Sequence, residues 1–548
     1  VLESVMGTTN DQARSISGEY DYIIIGAGSA GCVLANRLSA NPAKRVLLVE
    51  AGGEARHPMI PIPIGIGKTL FDSSLTWHYQ TEPAPGNAGQ PRSLMRGRVI
   101  GGSSAVNGMV YCRGQPEDYD AWAANGCIGW NWAEMLRAFR AIEDHQLGDD
   151  GVRGMGGPLH IGINRRQTPL TEAILDTAAM LGTRRREDIN RPDQEGIGYC
   201  PVTIQRGRRV SAADAFLTPI RGRPNLEIRT NVEITKVLME NARAIGVRGR
   251  QLGKSIDILT RGEIILCCGT LQSPKLLMLS GVGPAAELKR LGIEILVDSP
   301  GVGSNFLEHK TVSQQLRLKQ DYSLNSRLSG WRLALSGAQY ALRRSGPLAA
   351  TYDLNAFIRT DESLTQPDAQ ILFWAMSTDR NDSSRVKLEG HPGLLAMGYP
   401  LRTTSGGHVR LRDPHPETPL AIHTNFLASE HDCSVTIAIF RYLRRLFSHT
   451  HLAPFISEES FPGLQIQSDE DILETARRDE TCQHAVGTCR MGPAEDKAAV
   501  LNPELQVRGI DGLRVVDLSA MPTQVSGNTN GPAMAFAWRA ADFIVGQQ

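Results

Sequence analysis

Tyr20-Asp-Tyr-Ile-Ile-Ile25 is a short apolar, β-branched run that leads without a linker into Gly26-Ala-Gly28-Ser-Ala-Gly31, after which Val33, Leu34 and Leu38 recur at helical spacing. The pattern predicts strand, tight glycine turn and helix. Gly26 permits the turn, Gly28 lets a pyrophosphate approach the backbone, and Gly31 lets the helix pack on the strand, with the phosphates at the helix N-terminus. A second strand, Arg45-Val-Leu-Leu-Val-Glu50, ends in a carboxylate 19 residues beyond Gly31. Glu50 is placed to accept from a ribose hydroxyl and disfavours a 2′-phosphate. A glycine-rich surface turn is the bland alternative, and it leaves the second strand and its terminal acid unexplained. The fingerprint alone does not separate FAD from NAD(P). No second GxGxxG follows a strand, so one dinucleotide is expected.

Composition narrows the class. Lys and Arg total 58 and Asp and Glu total 58, which removes the basic footprint of a nucleic-acid binder. With 41% hydrophobic and 21% charged residues the chain is not a disordered one. Its 55 glycines, roughly 10% against about 7% on average, suggest a backbone that must come close to something. The nine cysteines form no CxxC pair and no zinc spacing, so no metal is expected; their odd number argues against a complete disulfide framework. A reducing cytoplasm is the simplest reading. Residues 1–18 lack a basic head and an apolar stretch of signal-peptide type and read as a mobile lead, with Met6 near a natural start. Leu518 to Trp538 is uncharged and long enough to tempt a membrane assignment, but its prolines, Gln524, Asn528 and Asn530 refuse it. No integral membrane segment is expected, and the oligomeric state is not legible.

Three further segments carry chemistry. Gly97-Arg-Val-Ile-Gly101-Gly102-Ser-Ser-Ala-Val-Asn107-Gly-Met-Val-Tyr111 is poor helix material and good close-approach loop material. Glu263-Ile-Ile-Leu-Cys-Cys-Gly269 reads as a buried strand, and Thr270 to Gly283 as a helix closed by glycine. Near the end come Thr481-Cys-Gln-His484-Ala-Val-Gly-Thr-Cys-Arg-Met-Gly492, Arg514-Val-Val-Asp517 and Ser526-Gly-Asn528-Thr-Asn530-Gly-Pro532.

In this order and at these separations, the segments resemble the glucose-methanol-choline (GMC) family of FAD-dependent oxidoreductases over nearly the whole chain. Both family signatures match, Gly97 through Asp120 and Gly269 through Gly283. Segments such as Phe139 to His145 and Gly207 to Asp214 look most like members near pyridoxine 4-oxidase, with hydroxymethylfurfural oxidase and choline dehydrogenase somewhat more distant. The resemblance implies that Gly26, Gly28, Ser29, Ala30, Glu50 and Ala51 hold the ADP half, with Val232 against the adenine and Cys268 and Gly269 near the ribose. It places Trp77, Val99, Gly102, Asn107, Gly108, Met109 and Val110 around the flavin, and Asp517 and Leu518 at the ribityl chain, with Asn528 also on the cofactor. Members that attach FAD covalently do so through a histidine where this chain has Val106, so non-covalent FAD is expected.

Oxidising an alcohol needs a base near neutrality, and the family motif makes His484 that base. Asn530, before Gly531-Pro532 and an apolar helical pattern, suits a helix N-cap. The resemblance also places it beside the base as a second catalytic residue. Gln483 would add an amide for the substrate, or simply face solvent. Cys482-Gln-His484 and Asn528-Thr-Asn530 depart from the pyridoxine 4-oxidase pattern, which puts pyridoxine in doubt as substrate.

The expected fold is α/β, α+β overall: a Rossmann-like FAD domain from residues 19–165, 200–315 and 480–548, and a substrate domain from 166–199 and 316–479. The latter would be an antiparallel sheet flanked by helices, with alternating runs at Gln370–Trp374 and Gly407–Arg412. Thr168 to Gly182 reads as a capped helix, and Ile437 to Phe447 as an amphipathic one with Arg441, Arg444 and Arg445 on a solvated face. The expected activity is oxidation of a primary alcohol, aromatic or heteroaromatic, with O2 or another acceptor taking the electrons. The alternatives are a choline or aliphatic-alcohol dehydrogenase passing electrons to a quinone or other acceptor, and an FAD-containing hydroxynitrile lyase. Light-driven fatty-acid decarboxylation is disfavoured because family members of that type lack the equivalent of His484, and a redox-inactive flavin protein because His484 and Asn530 are intact.

Overall fold

The structure, a computed structural model, describes residues 14–17, 20–380 and 387–546. Most of the expected mobile lead, Met6 included, lies outside the described residues; Arg14–Ser17 instead forms a strand parallel to Lys254–Leu259.

The fold is α/β. Tyr22–Ile25 and Val46–Val49 are completely buried apolar strands. They lie at the middle of a five-stranded sheet, in the order Leu226–Arg229, Val46–Val49, Tyr22–Ile25, Glu263–Leu266 and Leu513–Val515. Every pairing in it is parallel, so its inner strands need cover on both faces, and Tyr22–Ile25 and Val46–Val49 read as continuous hydrophobic runs, whereas the edge strand Leu226–Arg229 carries Glu227 and Arg229. The helices Ser29–Leu38 and Asn530–Gly546 pack together and are tied by an Arg37–Asp542 ion pair at 2.7 Å. Phe536 from the last helix stacks on Trp130 with ring centres 4.2 Å apart. Segments far apart in the chain therefore build one core, and the helix starts at Ser29 and Asn530 meet, the Ser29 hydroxyl donating to Asn530 Oδ1 at 2.8 Å.

A second, antiparallel sheet has six strands in the order Ile456–Phe461, Val312–Leu318, Gly393–Pro400, Ala369–Trp374, Leu354–Ile358 and Gly196–Tyr199. Ala369–Trp374 is buried at all six positions rather than alternating. The helix Glu430–Phe447 covers one face of the sheet through residues such as Ile439, and Leu372 on the same strand lines the central cavity. His408–Arg410 is not part of this sheet; it pairs only with Ala421–His423. The helix Pro169–Met180 is capped by the Thr168 hydroxyl, which accepts from the Thr171 N–H at 3.1 Å. The expected solvated arginines divide: Arg441 pairs with Asp469 on the surface, whereas Arg444 is half-buried and holds Glu459 at 2.9 Å and the Gly463 carbonyl at 2.9 Å. Among the described residues no helix is long and apolar enough to cross a membrane. All nine cysteines are free.

Candidate active site

A cavity of about 390 Å³ runs between the two sheets. It is lined at one end by Gly26, Gly28, Ser29, Ala30, Glu50, Ala51 and Val232, and at the other by His484 and Asn528. Three helices start on its wall, at Ser29, Gly269 and Asn530. The first has no side-chain cap and no acid in its first turn, so its free N–H groups and positive dipole end face the cavity.

Gly28 tests whether a dinucleotide fits. Its φ of −79° suits any residue, and a Cβ there would meet only the Gly102 Cα, at 3.9 Å. Nothing in the protein itself requires glycine at 28; a side chain would project into the cavity. By contrast a Cβ on Gly31 would sit 1.9 Å from the Gly26 carbonyl oxygen, so that glycine serves helix-on-strand packing. The Glu50 carboxylate is fully buried and accepts from the N–H of Ala27 at 2.9 Å and of Gly52 at 2.8 Å, each oxygen keeping a free acceptor site for a ribose hydroxyl. Burial pushes its pKa up to about 6 against those two bonds. These residues fit an FAD.

His484 is set by two strands of contact. Its segment pairs with 307–310, Val486 N–H donating to the Leu307 carbonyl at 2.9 Å and Cys482 N–H to that of His309 at 3.0 Å. The Glu308 carboxylate accepts from the His484 N–H at 2.6 Å and from the His309 N–H at 2.9 Å. Burial pushes Glu308 up to about 7, with Arg96 at 3.5 Å opposing.

The tautomer of His484 follows from its neighbours. His309 Nε2 lies 3.0 Å from the Leu401 carbonyl, which only accepts, so this nitrogen carries the proton. Burial pushes the His309 pKa down to about 4, so the ring is neutral at pH 7 and its Nδ1 accepts. His484 Nδ1, 3.1 Å away, must then donate, and His484 Nε2 is the unprotonated nitrogen. Burial first, then His309 and Arg96, hold His484 well below the usual imidazole pKa, so it is unprotonated at neutrality. Asn528 Nδ2 donates to His484 Nε2 at 3.1 Å. Its orientation is enforced from behind, where Asn528 Oδ1 accepts from Gln370 Nε2 at 3.0 Å and Gln370 Oε1 accepts from the Tyr399 hydroxyl. The site thus holds a neutral base and an amide donor aimed at one point.

Most of the expected residues line this cavity: Gly26, Gly28, Ser29, Ala30, Glu50, Ala51, Trp77, Gly102, Asn107, Gly108, Met109, Val110, Val232, Cys268, Gly269, Gln483, His484, Asp517, Leu518, Asn528 and Asn530. Five differ from expectation in place or use. Val99 is absent from the lining; it is buried with Ile60, Leu75, Ala105 and Val106 behind the wall. Asn530 is not beside the base. Its Oδ1 accepts from the Ser29 hydroxyl at 2.8 Å, joining two helix starts, while Asn528 takes the place at His484. The Asp517 carboxylate already accepts from Gly269 N–H at 2.9 Å, Ser273 Oγ at 2.6 Å, Ser519 N–H at 2.8 Å and Ser519 Oγ at 2.5 Å, which uses its four acceptor sites.

Gln483 is turned away from the base by a left-handed backbone (φ 64°), and its amide is spent on Met95 N–H at 3.0 Å, Arg96 Nη1 at 2.6 Å, the Ser93 carbonyl at 3.2 Å and Thr481 Oγ1 at 3.4 Å. It locks the base segment to the strand Ser93–Gly97 and has no hydrogen bond to spare for substrate. Glu308, His309, Gln370 and Tyr399 carry no motif of their own. Only Gln370 leaves a trace, as a polar residue inside the apolar strand Ala369–Trp374; Glu308 and His309 lie in a loop ahead of the strand Val312–Leu318.

The sequence matches two family models described as GMC oxidoreductase, the N-terminal one over residues 20–311 and the C-terminal one over 403–537. Human mitochondrial choline dehydrogenase is 38% identical over 538 residues, spanning 96% of this chain and 90% of that protein. The oxygen-dependent choline dehydrogenase of Brucella anthropi is 37% identical over 532 residues, spanning 96% of each. The crystal structure of pyridoxine 4-oxidase from Mesorbium loti superposes with a TM-score of 0.86 at 32% identity, covering 95% of this chain and 98% of that one. On these figures the choline dehydrogenases share more of the sequence than this pyridoxine 4-oxidase does.

Proposed function

The chain belongs to the GMC oxidoreductase family, FAD-dependent oxidoreductases acting on alcohols, and from that premise we propose that its substrate is an uncharged primary alcohol, aromatic or heteroaromatic. The observation that carries this reading is the wall around His484 and Asn528. Ile66, Leu70, Val110, Tyr352, Leu372, Met397 and Cys482 form it, and none is a carboxylate. The acids on the cavity wall, Glu50, Glu233 and Asp517, belong to the nucleotide end. Tyr352 is the one aromatic ring in this wall, too few for a cage around a quaternary ammonium.

An alcohol seated there would take the place of the Asn528 bond on His484 Nε2, giving its hydroxyl proton to that nitrogen while Asn528 Nδ2 turns its N–H to the oxygen on which negative charge grows. FAD, when bound, supplies the acceptor for the hydride that leaves the alcohol carbon, and O2 or another oxidant then takes the electrons. Gly28, Glu50, Trp77, Gly102 and the 107–110 loop would hold it. Val106, buried on the wall, has no nucleophilic atom, which supports a dissociable flavin. The high identity to choline dehydrogenases favours a second reading, in which choline is the alcohol.

The two readings separate in steady-state kinetics. Seating a quaternary ammonium against an apolar, carboxylate-free wall costs about 3 kcal/mol of unreturned desolvation, roughly a hundredfold. Benzyl alcohol is expected to exceed choline in kcat/KM by about that factor. A kcat/KM for choline equal to or above that for benzyl alcohol would sink the assignment.

A further inference from the structure

The helix Gly330–Arg343 buries only Ser336 and Tyr340. On the opposite side Trp331, Leu335, Ala338 and Leu342 recur at i, i+4, i+7 and i+11, an apolar stripe open to water with Trp331 71%, Leu335 59% and Leu342 84% exposed. Isolated exposed leucines are ordinary, but a continuous stripe led by a tryptophan is not. Cations surround it. Arg332 and Arg343 flank the stripe, and Arg327 and Arg344 lie at the two ends of the helix. Gly207 packs against the Arg344 backbone, which brings the exposed Arg206 and Arg208 alongside. Asp321 pairs with Arg332 at 3.4 Å; among the described residues no other of these arginines has an ion-pair partner.

We propose that this face docks the protein on an anionic lipid surface, the Trp331 stripe entering the headgroup boundary and the arginines meeting lipid phosphates. An amphipathic helix with Trp and Leu on one side and Arg beside them is the element that lies in such an interface. Charge selects lipid over a second copy of the chain, because a twofold contact would set the same arginines against one another. The helix is tied to the body through Tyr340, whose hydroxyl donates to the carbonyls of Gly207 at 3.0 Å and Pro61 at 3.4 Å. Pro61 begins the segment that carries Ile66 and Leu70 on the cavity wall, so the buried side of the docking helix is tied to that segment. The docking holds whichever alcohol is oxidised.

The test is co-sedimentation of the holoenzyme with sucrose-loaded vesicles, of phosphatidylcholine alone or mixed with phosphatidylglycerol, alongside sedimentation velocity without lipid. Wild type is expected to bind the anionic vesicles at least tenfold more tightly than the neutral ones. Leu335→Glu with Leu342→Glu should weaken that binding tenfold or more, and Arg343→Gln with Arg344→Gln by about 25-fold, at about fivefold per cation removed. Both double variants should keep the flavin spectrum and turnover of a water-soluble alcohol. Absence of wild-type binding, binding indifferent to either double variant, or a lipid-free dimer that the Leu335→Glu variant dissociates would overturn the proposal.

Discussion

His484→Ala is expected to keep its FAD and to lose flavin reduction by about 10²- to 10⁴-fold, the contribution of a positioned general base. FAD should stay because the surfaces assigned to it, from Gly26 to Ala30 and around Trp77 and Asn107, lie on other segments of the chain. Reduction should fail because no other neutral base faces the alcohol. His309, the nearest candidate, is not on the cavity wall, and its ring nitrogens face Leu401 and His484. Arg96 is a cation, and Glu308 is engaged by two backbone N–H groups. Rapid mixing with benzyl alcohol in the absence of oxygen, followed at the flavin absorbance, reads the rate directly. Retention of the wild-type rate would remove His484 from the chemistry.

Gly28→Val should leave the protein folded and empty it of flavin. The φ of −79° is allowed for valine, and only the Gly102 Cα comes within 4 Å of the new Cβ, so the fold has no reason to resist. The added methyl groups would occupy the space assigned to the pyrophosphate. Overpacking costs about 1–3 kcal/mol, and lost charge-assisted N–H contacts about 1.5–3 kcal/mol. Together these weaken FAD binding by roughly 10²- to 10⁴-fold. Gly31→Val makes the contrast, because its Cβ would collide with the Gly26 carbonyl and lower the melting temperature of the apoprotein itself. Equal FAD content in Gly28→Val and wild type would show that the cofactor does not run past residue 28.

How much of this was legible beforehand depends on how local each signal is. The strand, turn and helix from Tyr22 to Leu38 and the acid at Glu50 were readable because each needs only neighbours in sequence. His484 was readable through its motif. Asn530 is expected at the base and Asn528 on the cofactor, whereas the structure bonds Asn528 to His484, because their places depend on where the last helix begins. A start at Asn530 turns that side chain toward Ser29 and leaves Asn528 on the preceding loop, facing His484. The direction of Gln483 is hidden for a similar reason: being next to the base in sequence says nothing of where a side chain points when its own backbone is left-handed. Val99 shares a loop with Gly97 and Gly102, yet points to the apolar cluster behind it. The residues that fix the base, Glu308, His309, Gln370 and Tyr399, reach it from strands and turns more than eighty residues away, and pairing of that kind leaves no short-range mark.

The most direct measurement is anaerobic addition of benzyl alcohol to the yellow holoenzyme, with the aldehyde and the flavin absorbance followed together. Bleaching of the flavin with one benzaldehyde formed per flavin reduced, slowed when the alcohol carbon carries deuterium, is the expected result. Flavin that stays yellow with every alcohol, while cyanide is released from mandelonitrile, would contradict it and place the chain among the lyases.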